Sequence, residues 1–214
     1  MKLAIFDLDG TLIDSLADIA EAANYSLKKL GFPTHELSKF NYFVGNGLLE
    51  LINRILPENA KDKVDEALFF YKEFYSRNYM VKTCVYDGIA KMLETLGKNG
   101  IKLAVASNKT DEFTQNVVKH YFGDEIFAMV CGRIESRPTK PNPDILHDIM
   151  HKLGFSPEEC FMIGDTNIDI QTGKNAGVKT IGCLWGFRTL EELADAGADF
   201  IARMPEDIVK FVCE

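Results

Sequence analysis

Residues 3–11 read LAIFDLDGT, and this stretch decides the fold. Its apolar part, ended by a glycine turn at Gly10, is typical of a buried β-strand. Asp7 and Asp9 stand two residues apart on an extended segment, so their side chains point to the same side. Their mutual repulsion is costly unless a cation or a proton is shared, and a hard divalent ion such as Mg²⁺ suits carboxylate oxygens. We therefore expect a charged site directly after the first strand.

Strands and helices alternate in the chain after Asp87-Gly88. Short apolar runs predict the strands, and runs with the helical period predict the helices between them. The predicted strands are Lys102–Ala106, Phe127–Cys131, Cys160–Ile163, Val178–Cys183 and a short Phe200–Ile201. The predicted helices are 89–96, 111–121, 143–153, 168–175, 191–196 and 206–212. This alternation predicts an α/β fold with a doubly wound parallel sheet.

A purely helical segment lies between the first strand and this alternation. Its predicted helices are Ser15–Leu30, Gly47–Leu56 and Ala60–Tyr79, and no convincing strand occurs from Asp14 to about Lys82. We therefore predict an α/β core domain made of residues 1–14 and 84–214. An all-helical domain, residues 15–83, is inserted after the first strand.

Composition and charge argue against some classes of partner. The 214 residues carry a formal net charge of −8. Non-specific nucleic-acid binders neutralise phosphates with clustered Lys and Arg, so we expect no nucleic-acid partner. A local positive site for a small phosphate remains compatible with an acidic protein. No stretch approaches the roughly 20 apolar residues that span a bilayer, so we expect no membrane association.

The cysteines and the N-terminus predict the compartment. The five cysteines are Cys84, Cys131, Cys160, Cys183 and Cys213. No CxxC pair occurs and the number is odd, so a zinc site is not indicated and reduced thiols are the simplest interpretation. The N-terminal apolar run is too short for the core of a signal peptide. We expect a cytoplasmic protein that is a monomer or a homodimer.

Three further polar segments lie at or near the carboxyl ends of predicted strands, where open parallel sheets bind ligands. Ser107 and Asn108 can donate hydrogen bonds to phosphate oxygens. Lys140 stands between prolines that stiffen its backbone, and it could neutralise a phosphate. Asp165 follows a strand directly, and Asp169 lies one helical turn further on. These two carboxylates can form an acidic ledge for a metal ion and its waters.

Each segment has a simpler interpretation when it is taken alone. The aspartates after the first strand could form a solvated turn, Ser107 could cap a helix, Lys140 could be an exposed lysine, and Asp165 with Asp169 could cap a helix. Their conjunction, in this order and on these strand ends, has a small chance of being accidental. It resembles the haloacid dehalogenase-like (HAD) hydrolase superfamily, whose four motifs these segments match over essentially the whole chain.

The resemblance implies a Rossmann-like core, a helical cap and Mg²⁺-dependent phosphoryl transfer. Asp7 would attack phosphorus and form an aspartyl-phosphate intermediate. Asp9 would first protonate the leaving group and then activate water. Members that attack carbon in a haloacid lack a carboxylate at the place of Asp9, so its presence points to a phosphatase.

The resemblance also implies the other site residues. The phosphate-binding residues would be Thr11, Ser107, Asn108 and Lys140. The ligands of Mg²⁺ would be Asp7, Asp9 through its backbone carbonyl, and Asp165, with Asp169 in support. A carboxylate that attacks an anionic phosphate needs positive charge nearby, which Mg²⁺ and Lys140 would supply.

Finer resemblance points to the phosphoglycolate phosphatase-like branch, and hence to a small phosphorylated metabolite as substrate. The segments that carry it are Phe43-Val44-Gly45-Asn46-Gly47, Ser107-Asn108-Lys109 and Trp185-Gly186-Phe187-Arg188. The segment Val85-Tyr86-Asp87-Gly88 departs from the usual Tyr-Pro-Gly of this branch. In members with a helical cap, the cap lies over the site and helps to select the leaving group. The cap candidates for this task are Gly45, Asn46, Gly47 and Arg54.

Several alternatives stay open at this point. The same branch contains pyrophosphatases and sugar-phosphate phosphatases. A β-phosphoglucomutase-like phosphomutase is disfavoured because residues 16–23 contain neither His nor Arg. A phosphonate hydrolase would need a cap lysine, and nothing marks Lys28, Lys29 or Lys39. A non-catalytic binding protein with the HAD fold would be expected to lose at least one of the carboxylates.

Overall fold

The computed structural model describes residues 1–214, which fold into two compact units. The α/β unit consists of Met1–Ile13 and Val85–Glu214, and the helical unit is Asp14–Cys84. The domain boundaries predicted from the sequence lie one residue away from these. None of the helices combines the length and the apolar character that crossing a bilayer requires.

The strands of the α/β unit form a six-stranded sheet. In chain order the strands are β1 (Leu3–Phe6), β2 (Ile13–Asp14), β3 (Cys84–Val85), β4 (Lys102–Thr110), β5 (Met129–Arg133), β6 (Cys160–Gly164), β7 (Lys179–Cys183) and β8 (Phe200–Ala202). The sheet order is β5-β4-β1-β6-β7-β8, and every ladder in it is parallel. The short strands β2 and β3 form a separate two-stranded sheet. The predicted parallel α/β sheet is confirmed.

Strand β1 lies in the middle of the sheet because its side chains are apolar throughout. All four of its residues are buried, as expected for a strand covered on both faces. Phe6 pairs in register with Val105 of β4 and with Ile163 of β6. The next residue, Asp7, therefore emerges between the ends of two neighbouring strands.

Helices flank the sheet and make up most of the helical unit. They are α1 (Leu16–Lys29), α2 (Leu37–Phe43), α3 (Leu48–Ile55), α4 (Val64–Asn78), α5 (Ile89–Lys98), α6 (Asp111–Phe122), α7 (Asp144–Leu153), α8 (Asn167–Asn175), α9 (Leu190–Asp195) and α10 (Pro205–Cys213). On one face of the sheet, a core cluster joins the buried side chains of β1, β4 and β6 to α7, through residues such as Ile5, Met162, Leu146 and Ile149.

The helical unit differs from the sequence prediction in two places. Helix α2 was not predicted, because it has only seven residues and no side chain caps its N-terminus. The helix predicted to start at Ala60 starts at Val64, and Glu58–Lys63 form a 3₁₀ segment instead. The reason is local, since Ala60 has φ −127° and ψ 23°, outside the helical region.

Two strands of the α/β unit extend beyond their apolar runs. Strand β4 continues from Ala106 to Thr110, and its pairing with β5 shifts register between these two residues. Strand β5 lies two residues later than the apolar run 127–131 predicts, because Arg133 still pairs with Thr110. Backbone pairing, which hydrophobicity does not reveal, sets these ends.

Candidate active site

Side chains from three neighbouring strands converge at the carboxyl end of the sheet. Asp7 follows β1, Ser107 lies in β4, and Asp165 follows β6. The Asp7 N–H donates to the Ile163 carbonyl at 2.8 Å, so the residue after β1 is still held by the neighbouring strand. The connections run to opposite sides of β1, and parallel sheets bind ligands at such a point.

Lys140 contacts two of the carboxylates, and hydrogen bonds fix its own position. Its Nζ lies 2.9 Å from Asp7 Oδ1 and 2.6 Å from Asp169 Oδ1, with the lysine side chain only 1% exposed. Nζ also donates to the Ala106 carbonyl at 2.9 Å. The Asn108 amide donates to the Lys140 carbonyl and accepts from the Lys140 N–H. Asn108, predicted to contact phosphate, therefore positions the lysine that lies among the carboxylates.

Asp165 is fully buried in a cage of polar donors and glycines. Its Oδ1 accepts from the Thr11 hydroxyl at 3.0 Å, and its Oδ2 accepts from the Phe187 N–H at 2.8 Å. A Cβ on Gly10 or on Gly186 would lie 2.3 Å from an atom of Asp165, so neither position has room for a side chain. A hydroxyl has one proton to donate. The hydroxyl of Thr11, which is predicted to bind phosphate, donates this proton to Asp165.

Asp169 uses both of its oxygens inside the protein. Oδ1 accepts from Lys140 Nζ, and Oδ2 accepts from the Thr166 N–H at 3.1 Å and the Thr166 hydroxyl at 2.8 Å. The two residues form a capping box at the start of α8. This arrangement favours the supporting place that the sequence predicts for Asp169.

The buried charges in this cluster do not balance. Ligand oxygens of Asp7, Asp165 and Asp169 lie within 4.8 Å of one another, and Lys140 is the cation in contact with two of them. Burial raises the pKa of Asp7 to about 7, because Lys140 opposes only part of the desolvation and Asp169 adds to it. Burial, followed by the charges of Asp169 and Asp7, also raises the pKa of Asp165 well above its usual value.

A divalent cation fits this donor set. Asp7 Oδ1 is buried and makes no hydrogen bond, since Lys140 Nζ approaches it at ion-pair distance but outside hydrogen-bond geometry. All three converging groups are carboxylates, the hard oxygen ligands of Mg²⁺ and Ca²⁺, and no His or Cys belongs to the cluster. A bound metal ion would offset the surplus of negative charge. The residues present therefore fit the metal ion expected at this site.

Ser107 and Asp9 complete the group of predicted catalytic-site residues in the α/β unit. Ser107 is buried, and its Oγ accepts from the Lys109 N–H at 3.2 Å. That bond uses a lone pair and leaves the hydroxyl proton for another acceptor. The Asp9 carboxylate accepts from Lys109 Nζ at both oxygens, at 2.7 Å and 2.9 Å.

The predicted cap candidates belong to the helical unit. Arg54 donates to the carbonyls of Tyr42 and Phe43, and to Asn46 Oδ1 at 2.7 Å. The guanidinium of this cap candidate thus fixes the loop that precedes α3. Residues 45–47 in that loop include two glycines with positive φ, +114° and +88°, a conformation that glycine adopts without a steric penalty.

The sequence prediction missed several residues of this site. The sequence marks Lys109 only as part of the segment that resembles the branch, and it marks Gly186 and Phe187 only as part of a C-terminal segment. Trp185 belongs to the same loop, and its Nε1 donates to the Thr11 carbonyl at 2.9 Å. One signal could have found this loop, because it directly follows β7 at the ligand-binding edge of the sheet.

Comparison with known proteins agrees with the family resemblance that the four motifs indicate. Residues 4–183 match the family described as haloacid dehalogenase-like hydrolase. The chain belongs to the haloacid dehalogenase-like hydrolase family. The HAD resemblance drawn from its motifs is thereby confirmed.

The relatives of this HAD protein cover almost its whole length. A phosphoglycolate phosphatase of Aquifex aeolicus is 34% identical over 212 residues, which are 99% of this chain and 97% of that protein. A phosphoglycolate phosphatase of Vibrio vulnificus is 33% identical over 209 residues, 94% of this chain and 92% of that one. The solved structure of a candidate phosphoglycolate phosphatase from Lactobacillus delbrueckii subsp. bulgaricus has a TM-score of 0.94 and 30% identity, with 99% of both chains covered. The similarity thus includes both units.

Proposed function

We propose that this HAD protein is a Mg²⁺-dependent phosphatase that hydrolyses a small phosphate monoester in two steps, with Asp7 as the nucleophile. The observation that carries the proposal is the meeting of Asp7, Lys140 and Asp165 in one buried cluster with surplus negative charge. A nucleophilic carboxylate divides one difficult displacement into two easier steps.

Lys140 favours the ionised form of the nucleophile and holds it in place. Burial favours the protonated form of Asp7, and the lysine ammonium 2.9 Å from Oδ1 opposes that effect. The charges of Asp169 and Asp7 outweigh the desolvation of Lys140 and raise its pKa, so it stays charged at neutral pH. Phosphate oxygens that approach Asp7 meet this ammonium group, and the free proton of Ser107 provides a second donor.

Mg²⁺ is the metal ion that we assign to the carboxylate cluster. Asp7 and Asp165 would hold it together with the backbone carbonyl of Asp9, and Asp169 would support them. When bound, the ion supplies positive charge that offsets the repulsion between the carboxylate nucleophile and the phosphate oxygens. The hydrogen bond from Thr11 fixes one oxygen of Asp165 and thereby orients the carboxylate.

Asp9 is the acid–base residue in this proposal. In the first step the Asp7 oxygen bonds to phosphorus, the bond to the leaving oxygen breaks, and Asp9 gives that oxygen its proton. In the second step Asp9 takes a proton from the water that attacks phosphorus. Inorganic phosphate leaves, and the Asp7 carboxylate is regenerated.

Phosphoglycolate is the first candidate substrate. The Aquifex aeolicus and Vibrio vulnificus relatives are phosphoglycolate phosphatases and match this chain over more than 90% of its length. Pyrophosphate and sugar phosphates are the alternatives within the same branch. The loop of residues 45–47, held by Arg54, is the segment that we propose to influence this choice.

The experiment is a phosphate-release screen with phosphoglycolate, pyrophosphate, sugar phosphates and nucleotides, run with Mg²⁺ and with EDTA. We expect turnover of phosphoglycolate that requires Mg²⁺ and disappears in Asp7→Asn. The matched control is Asp124→Asn, which changes an exposed carboxylate whose partner is the surface residue Lys119. Turnover that survives in Asp7→Asn, or no turnover of any compound, would contradict the proposal.

A further inference from the structure

Lys109 is a buried cation that the steps above do not use. Its side chain is 6% exposed, and Nζ donates to both carboxylate oxygens of Asp9, at 2.7 Å and 2.9 Å. The Asp9 side chain is 17% exposed. Burying a lysine is costly unless it is paired, and a contact with both oxygens fixes the rotation of the carboxylate.

The backbone of Lys109 is itself held at both ends. Its N–H donates to Ser107 Oγ at 3.2 Å, and its carbonyl accepts from the Thr114 hydroxyl at 3.1 Å. The preceding residue, Asn108, is bound to Lys140 through both ends of its amide. The Lys109 side chain therefore starts from a fixed point and spans to the loop that follows β1.

Each of the two lysines contacts a different aspartate of the segment that follows β1. Lys140 contacts Asp7 and Asp169, whereas Lys109 contacts Asp9. Lys109 belongs to the short segment 107–109, and Lys140 is bound to the Asn108 amide of the same segment. The nucleophile and the acid–base carboxylate are thus oriented from one end of β4, although 100 residues separate Asp9 and Lys109 in the chain.

We infer that Lys109 is the positioning residue of the acid–base carboxylate, which it holds in one orientation for proton transfer to the leaving oxygen. The inference rests on the proposed function, in which Asp9 is the acid. It has a specific consequence, because an alkoxide needs a proton in order to leave and p-nitrophenolate does not. Loss of Lys109 should therefore slow the cleavage of an alkyl phosphate much more than that of p-nitrophenyl phosphate.

The test measures leaving-group release in a single turnover, with enzyme in excess over substrate, so that hydrolysis of the phosphoenzyme does not contribute. The variants are Lys109→Met, which removes the donor, and Lys109→Gln, which keeps an N–H donor without the charge. Asp9→Asn marks the full loss of the acid. Lys98→Met removes a surface lysine paired with Glu94 and is the matched control.

We expect Lys109→Met to slow glycolate release from phosphoglycolate by about 10²-fold, the lower end of general acid catalysis, and p-nitrophenolate release by less than about 10-fold. Lys109→Gln should recover part of the loss on phosphoglycolate, and Lys98→Met should change neither rate. A merely structural lysine would not change the ratio of the two rates. Thermal melts of all variants show whether they fold, and if Lys109→Met does not fold, Lys109→Gln must show the selective loss on phosphoglycolate.

Equal loss on both substrates in the Lys109 variants, with a selective loss in Asp9→Asn, would overturn the inference and leave the proposed function intact. Equal loss in Asp9→Asn itself would contradict the proposed role of Asp9 and, with it, the inference. Absence of Mg²⁺-dependent release by the unmodified protein would contradict both.

Discussion

The helical unit and the α/β unit both bury aspartate side chains, but they treat the charge differently. In the helical unit, Asp18 is 1% exposed and accepts hydrogen bonds from the N–H groups of Lys82 and Thr83 and from the Thr83 hydroxyl. In the α/β unit, three buried carboxylates converge, and one of them has an oxygen without any hydrogen bond.

The difference distinguishes a buried carboxylate that stabilises the fold from buried carboxylates that need a bound cation. A buried carboxylate with several donors is stabilised where it stands, and it ties segments of the chain together. Buried carboxylates that outnumber their cations destabilise the fold until a cation binds. The surplus in the α/β unit therefore indicates a ligand-binding site, and the satisfied charge of Asp18 indicates a structural one.

The strongest test of this contrast removes one carboxylate from each unit. We expect Asp7→Asn to lower turnover by about 10⁴-fold or more, as is typical when a nucleophile is lost. Asp18→Asn should leave turnover nearly unchanged but should lower the free energy of unfolding by roughly 1–3 kcal/mol, because buried N–H donors lose a charged acceptor. Phosphate release and urea denaturation measure the two effects. The contrast fails if Asp18→Asn is the variant that loses turnover.

A second test crowds the carboxylate cluster without changing its charge. In Gly186→Ala the new Cβ would lie 2.3 Å from Asp165 Cβ and from the Gly10 carbonyl, so Asp165 must move. We expect Mg²⁺ to bind about 10- to 100-fold more weakly, the range for a disturbed ligand environment. Isothermal titration of the folded variant with Mg²⁺ measures this loss.

The control for that variant is Gly97→Ala. Gly97 lies in α5, and apart from the backbone of its own helix and its chain neighbours a new Cβ would meet no atom within 4 Å. Alanine should therefore leave Mg²⁺ binding unchanged and should stabilise the helix by up to about 1 kcal/mol. Unchanged Mg²⁺ affinity in Gly186→Ala would show that the glycine cage does not position the metal ligand.

The charge surplus also predicts how the stability of the metal-free protein depends on pH. Burial raises the pKa of Asp7 from 3.8 to about 7, so between these values the folded state binds more protons than the unfolded state. The stability of the metal-free protein should therefore fall as the pH rises from about 4 to 7, by on the order of a few kcal/mol from Asp7. Mg²⁺ should reverse this loss, so it should raise the Tm more at pH 8 than at pH 5. An equal rise in Tm at both pH values would contradict the surplus of charge.

The smallest expected effect concerns the buried thiols, which are neutral and need no such compensation. Burial raises the pKa of Cys160 to about 12, with a contribution from Glu159, and it raises the pKa of Cys183 well above its usual value. A thiol-specific reagent at neutral pH should therefore modify Cys84 and Cys213 quickly, because both are exposed. The three buried cysteines should react only on unfolding. Fast modification of Cys183, whose neighbours include Asp165, would mean that the cluster opens to solvent.

The sequence predicts those site residues whose position depends only on the strand that they follow. Asp7 and Asp165 follow apolar strands directly, so the rule that ligands bind at the carboxyl ends of parallel strands was enough to locate them. The partners of these residues were out of reach, because they depend on contacts between distant segments. Lys109 meets Asp9 across 100 residues, and the Phe187 N–H meets Asp165 across the end of the sheet.

The same limit applies to the fold. The sheet could be predicted because its strands contain short apolar runs, whereas α2 is short and has no side-chain cap that would mark its start. The hydroxyl of Thr11 and the amide of Asn108 carry no sequence mark that separates a phosphate ligand from a group that positions Asp165 or Lys140. Their hydrogen bonds in the folded chain reveal the contacts with Asp165 and Lys140.

The most direct test of the central claim is chemical trapping of the phosphoenzyme. The protein is mixed with Mg²⁺ and with phosphoglycolate that carries the radiolabel on phosphorus, and the mixture is quenched in acid. One portion is tested for label with and without hydroxylamine, and another is treated with borohydride, which reduces an acyl phosphate to an alcohol and releases the phosphate. The account predicts acid-stable, hydroxylamine-sensitive label on the protein, and mass spectrometry should locate the reduced residue at Asp7. Label on any other residue, or turnover without any trapped label under single-turnover conditions, would contradict it.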